Sequence, residues 1–355
     1  MNIEDFIIAP QPPNSQPWQL GNLFTKEIKE KSIVLLYVSD CRGAKFEAES
    51  QNFFGIRKKI AQLSNGDFNL EICDLGDLIS GKTTQDTQYI LQEVLAICFN
   101  KKTIPIIIGG SVDLSYAMFS ALDFYEKNIR YTHITNTISL SNDGDDVSEK
   151  NYLSKILSTK DFTISEFNFL GIQRHLLNPE TSKLLKEVDF EVVPLATMMD
   201  STSKTEPYFR RADLVTVNCD AIETFDGAFS LRPQVNGLNK REICAYMKEI
   251  GLSQNLKSVG IFNYNIYDAN PLHEQLLAQM IWYLLEGIHI QKSHPKDRQT
   301  EIFVIALDSE NYTFQRDVFA DLWYFGTGEI ATCMPCTKED FEQAKKGNLN
   351  KKLVK

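Results

Sequence analysis

Apolar and polar positions fall into alternating blocks along the chain. Residues 32–38 (SIVLLYV) form an unbroken apolar run, the pattern of a strand buried on both faces. The same pattern predicts strands over 68–73, 103–108, 131–140, 167–172, 190–194, 214–218 and 258–264. Between them, apolar residues recur at helical spacing over 84–99, 115–122 and 240–250. Asn270-Pro271 supplies an N-cap and a proline at the first helical position, opening a long helix over 272–286 that Gly287 is expected to close. Strands alternating with helices predict βαβ units. The expected fold class is α/β, a three-layer α/β/α arrangement around a mostly parallel sheet.

Three segments follow from this pattern. Residues 1–20 are rich in Pro and Gln and are expected to form an irregular arm. Residues 21–290 carry the α/β pattern. A polar stretch over 290–300 then separates a C-terminal extension, 291–355, with one strand over 301–307, an aromatic segment and a polar helix over 338–346. About 60 residues is small for an independent core. The extension, with Phe314, Phe319, Trp323, Tyr324 and Phe325, is expected to pack on the main sheet or at an interface.

Charge narrows the partners. The chain has 37 basic and 47 acidic side chains, a formal net charge of −10. With no basic block, nucleic acid and anionic membranes are not expected partners. No apolar run approaches the ~18 residues of a membrane span, and the N-terminus has no signal-peptide pattern. The seven cysteines are an odd number scattered in apolar segments, which fits reduced thiols in the cytoplasm. Only five histidines are present, a thin supply for metal sites.

In an open parallel sheet, ligands bind at the carboxyl ends of strands. Three such ends carry polar residues here. Gly109-Gly110-Ser111-Val112-Asp113 follows one strand, and its bland reading is a tight turn with Ser111 or Asp113 capping a helix. His133, Thr135 and Thr137 share one face of a second strand, and Asn218 and Asp220 share a face at the end of a third.

These segments resemble the ureohydrolases: arginase, agmatinase and formimidoylglutamase. DLGDLISGKTTQDTQYILQEVLAICFNKKTIPIIIGGSVDLSYA is similar to the family's order of strand, helix, strand and Gly-Gly turn. VTVNCDAIETFDGAF resembles its Asp-x-Asp strand, and VGIFNYNIYDANPLHEQLLAQMIWYLLEGI its last core strand and helix. The likeness is nearest to formimidoylglutamase and spans roughly residues 30–290. It implies the arginase-like α/β fold, an oligomer, and hydrolysis of guanidino or formimino groups by two Mn²⁺ ions.

The metal ligands do not carry over. The histidine of the family's Gly-Gly-Asp-His turn falls on Val112. Its Asp-x-His-x-Asp triplet falls on His133, Thr135 and Thr137, and its Asp-x-Asp pair on Asn218 and Asp220. The substrate-holding glutamate falls near Asn263. Only Asp220 keeps its identity. One carboxylate cannot offset two dications. A mononuclear alternative would use Asp220, His133 and Asp113; its rival reads His133 as a hydrogen-bonded core histidine. Asp143, Asp145 and Asp146 form an acidic loop that reads as a solvated turn.

Other signals are weaker. Cys333-Met334-Pro335-Cys336 lacks the second pair that a zinc site needs. Gly326-x-Gly328-x-x-Ala331 lacks the following helix of a dinucleotide fingerprint. The expected function is therefore a metal-free, non-catalytic ureohydrolase-like protein with a binding or scaffold role and an unknown protein partner. The alternatives are a Mn²⁺-dependent hydrolase of linear amidines with altered ligands, and a sensor of an amino-acid or guanidino ligand.

Overall fold

The computed structural model describes residues 3–11, 13–47, 53–141, 144–187, 190–307 and 309–354. Among these, ten strands form one sheet: β1 (Ile7–Ile8), β2 (Phe24–Thr25), β3 (Ile33–Val38), β4 (Ile72–Leu78), β5 (Ile104–Ile108), β6 (Ile129–Ile134), β7 (Ile164–Ile172), β8 (Glu191–Pro194), β9 (Leu214–Asn218) and β10 (Ser258–Phe262). Their order is β1-β4-β3-β5-β10-β9-β6-β7-β8, with β2 also on β4. Only β1 is antiparallel; all other pairs in this sheet are parallel. The central pair joins β5 to β10, with Ile106 beside Val259.

Continuous apolar runs follow from having a core on each face. Leu35, Ile106, Ile108, Val259 and Ile261 pack on one side with Ile56, Ile243, Met247, Leu277 and Leu284. Val34, Leu36, Ile107 and Phe262 pack on the other with Leu91, Val94, Met118 and Phe119. Helices Phe54–Gln62, Lys240–Gly251 and Pro271–Ser293 supply the first layer; Thr84–Asn100, Leu114–Tyr125 and Tyr152–Ser158 supply the second. The fold is the expected three-layer α/β/α arrangement.

Several boundaries differ from the pattern's prediction. The strand expected over 68–73 starts at Ile72 and runs through Asp74 and Asp77. Those carboxylates are tolerated there because Arg57 reaches both, with Nε 3.0 Å from Asp74 and a second nitrogen 2.7 Å from Asp77. The strand expected over 131–140 stops at Ile134. The helix opened by Asn270, whose side chain accepts from the Leu272 N–H at 2.9 Å, does not end at Gly287 but continues to Ser293. Gly287 is a crossing point instead: a Cβ there would lie 2.3 Å from the Lys248 carbonyl and 2.9 Å from Gly251 Cα. The N-terminal arm is partly regular, since β1 extends the sheet beside β4.

The C-terminal extension is more structured than one strand. It forms an antiparallel sheet of β11 (Thr300–Leu307), β12 (Glu310–Asp317), β13 (Leu322–Phe325) and β14 (Met334–Cys336), followed by helix Lys338–Lys345. Phe314, Trp323 and Phe341 make its small core. Aromatic residues have high strand propensity, which underlies two of the three extra strands, β12 and β13. The module is fastened to the larger sheet by two buried arginines. Arg210 donates to the carbonyls of Trp323 and Cys336, the latter at 3.1 Å, and Arg211 donates to those of Cys333, at 2.6 Å, and Ile330. Both guanidinium groups lie against the Tyr324 ring.

Candidate functional site

The carboxyl ends of β5, β10, β9 and β6 lie side by side at the centre of the sheet, where the strand order makes a crevice. The turn after β5 needs its glycines. Gly109 and Gly110 have φ of 88° and 74°, and a Cβ on Gly109 would lie 2.6 Å from the Val38 carbonyl. This turn brings Ser111, Val112 and Asp113 to the crevice. No side chain of the turn caps the next helix, because Asp113 is itself helical and makes no capping bond.

Asn263, one residue past β10, fills the space between this turn and β9. Its own φ is 58°, a left-handed conformation that asparagine tolerates. Its Oδ1 accepts from the Val112 N–H at 2.9 Å, and its Nδ2 donates to Asp220 Oδ2 at 2.6 Å. The Asn263 N–H donates to the Gly110 carbonyl at 2.8 Å. The other Asp220 oxygen accepts from the Arg232 N–H at 3.0 Å. Burial pushes the Asp220 carboxyl above its ordinary value, against the lowering by Asn263 and Arg232. Asn218 accepts from the Asp220 N–H at 2.9 Å, and the Asn136 amide donates to the Asp220 carbonyl at 2.8 Å. The Asn218 amide also faces the Thr135 hydroxyl at 3.5 Å.

The remaining candidates are held by other partners. His133 is fully buried, with Nδ1 2.6 Å from the Thr216 hydroxyl and Nε2 2.8 Å from the Tyr152 hydroxyl. Burial moves its pKa down to about 3, so the ring is neutral. Asp113 accepts from Ser111 Oγ at 2.5 Å and Gln88 Nε2 at 3.1 Å, and burial raises its carboxyl to about 7. Thr137 lies beyond the strand and donates to the Leu176 carbonyl at 3.1 Å. Its expected place on one strand face with His133 and Thr135 is therefore corrected: β6 has ended, and the chain turns toward the loop after β7.

A dinuclear metal centre needs several free carboxylates and imidazoles around one point. Here both His133 nitrogens and both Asp220 oxygens face protein partners. Among the described residues no group of three or more His, Cys, Asp or Glu is placed to hold a metal ion. Val112 and the small polar residues around it do not fit the two-ion group. What the arrangement offers chemically is a buried hydrogen-bonded lattice.

Three loops cover it. The Arg232 side chain pairs with Glu149, Nε lying 3.0 Å from Oε2, and donates to the Ala44 carbonyl at 3.0 Å. Asp40 anchors the first of these loops. Burial would raise its carboxyl, yet Arg42 at 2.7 Å and the Thr87 hydroxyl at 2.6 Å hold it below the ordinary value. In the acidic loop, Asp146 accepts from Gln85; Asp143 lies outside the described residues.

Sequence reasoning missed Gln88, Asn136, Tyr152, Thr216 and Arg232. Thr216 was detectable, two residues before Asn218 on the same strand face. The others come from helices and loops with no local signal. The seven cysteines are free and buried, and burial pushes the Cys336 thiol up to about 12, far from a reactive thiolate. No described helix is long and apolar enough to cross a membrane.

No protein-family model matches the chain, and no curated protein matches it. Solved structures do. Trypanosoma cruzi formiminoglutamase with Mn²⁺ superposes with a TM-score of 0.69 at 15% identity, over 78% of this chain and 99% of that one. Formimidoylglutamase from Bacillus subtilis gives 0.67 at 14% identity, over 77% and 92%. Proclavaminate amidino hydrolase from Streptomyces clavuligerus gives 0.65 at 14%, over 80% and 99%. The chain thus has the α/β fold of the arginase superfamily, over nearly the whole length of these proteins.

Proposed function

We propose that this chain is a non-catalytic protein with the ureohydrolase fold, working as a binding or scaffold protein. The Asn263 bridge carries this reading. A neutral amide bonds Val112 on one side and Asp220 on the other, in the crevice where the fold would hold metal and substrate. Asn263, both Asp220 carboxylate oxygens and both His133 nitrogens bond protein groups in place of a ligand, and displacing these bonds costs about 1–3 kcal/mol per group left unpaired. The C-terminal module offers the surface for a protein partner. The buried, free cysteines support a cytoplasmic setting.

A second reading is a hydrolase of linear amidines with an altered ligand set. It is favoured by the retained Asp220 and by structural neighbours named as formiminoglutamases and amidino hydrolase. One experiment separates the two. The protein is purified with added Mn²⁺, bound metal is counted by elemental analysis, and release of formamide, urea and ammonia from formimino and guanidino compounds is assayed. The scaffold reading expects substoichiometric metal and no turnover. Stoichiometric metal with turnover abolished in Asp220→Ala overturns it. Thermal stabilisation by an amino acid or guanidino compound, without turnover, would instead mark a sensor.

A further inference from the structure

β11 is the terminal strand of the C-terminal sheet, so among the described residues one row of its backbone N–H and C=O groups faces no strand. Free edges of this length are ordinarily blunted by lysine, proline or a bulge. Here the run over 302–307 (IFVIAL) holds no charge and no proline, and its pairing with β12 is unbroken. Phe303 and Ile305 turn toward the module's core. Ile302 and Val304 point the other way and are 66% and 61% exposed. On that same face the neighbouring Gln315 and Tyr324 are buried, Tyr324 against Arg210 and Arg211. The cover therefore stops one strand short of the edge and leaves an apolar ledge.

We propose that a second copy of this chain docks on the ledge, its β11 running antiparallel to the first across a two-fold axis perpendicular to the sheet. That axis is the one operation that makes two identical strands antiparallel neighbours in one sheet. It opposes residues of like facing, so apolar rows meet apolar rows. With the register centred on Phe303, each Ile302 lies opposite the partner's Val304. Charge favours this occupant. Glu301, the carboxylate on the run's flank, is neutralised by Arg316 at 3.1 Å within its own chain. A chain of net charge −10 repels its copy on most approaches, and this edge presents an uncharged one.

The test is sedimentation velocity of the full chain over a range of concentrations, for the parent and for Val304→Lys. The parent should dimerise, and Val304→Lys should weaken dimerisation at least tenfold with an unchanged melting temperature. In a second arm, the double variant Ile302→Cys, Val304→Cys should cross-link into a reducible dimer under mild oxidation. A parent that stays monomeric, including one whose edge pairs with a different protein, overturns the proposal. So does an oligomer insensitive to Val304→Lys that yields no cross-link.

Discussion

At the scale of single residues, the crevice is held by side chains that bridge groups distant in the chain, as Asn263 does between the Val112 N–H and the Asp220 carboxylate. Asn263→Gly keeps the left-handed φ accessible and removes only the amide. The Val112 N–H and the Asp220 carboxylate then each lose a buried partner, and urea unfolding should show a loss of about 2–4 kcal/mol. The two strongly shifted groups act in opposite senses. His133 is neutral when folded, down to about pH 3, so its unfolded form gains a proton first and its contribution falls as pH drops below ~6.5. Asp113, raised to about 7, is protonated when folded; its contribution is full below ~3.9 and is lost as pH rises through 7. Between about pH 4 and 6.5 the two slopes offset each other. Asp113→Asn removes one of them, so stability against pH should become more positive in slope by about 1.4 kcal/mol per pH unit, measured by denaturant midpoints across that window. His133→Gln should shift the slope by a similar amount in the opposite direction. Val112, Thr135 and Asn263 at the strand ends made the small, mostly polar lining of the crevice legible from sequence, whereas the partners of His133 were not, since Tyr152 lies on a helix with no local pattern linking it to the strand.

At the scale of elements, legibility tracked how continuous the apolar signal was. β9 and the helix Lys240–Gly251 lie where periodicity placed them, because packing and pattern agree there. β4 did not, since its polar Asp74 and Asp77 face Arg57 rather than water, and a distant ion pair leaves no mark on local periodicity. Gly287 misled in another way. Glycine often ends helices, but here it lets two helices touch. Gly287→Ala raises helix propensity by about 1 kcal/mol, yet its methyl would press on the Lys248 carbonyl. We expect a net loss of about 1–3 kcal/mol in chemical denaturation, the reverse of an exposed glycine-to-alanine change.

At the scale of the whole molecule, the C-terminal module is tied to the larger sheet through a few buried contacts rather than a shared core. Arg210→Ala removes the donor to two carbonyls and leaves Glu206 without its ion pair. Calorimetry should then resolve a separate, lower-temperature transition for residues 291–355, where the parent gives one. The sequence pattern placed only β11 of this module's sheet: β12 mixes polar residues with its aromatic ones instead of forming an apolar run, and β13 and β14 are only four and three residues long. The pairing of β5 with β10 has a consequence in time. Its partners lie about 150 residues apart, so during synthesis at ~5–20 residues per second β5 waits roughly 8–30 s for its neighbour. The apolar edge of β3, β4 and β5 stands open through that interval. The Asn263 bridge can close only once β10 arrives, which makes it a late lock on a half-built sheet.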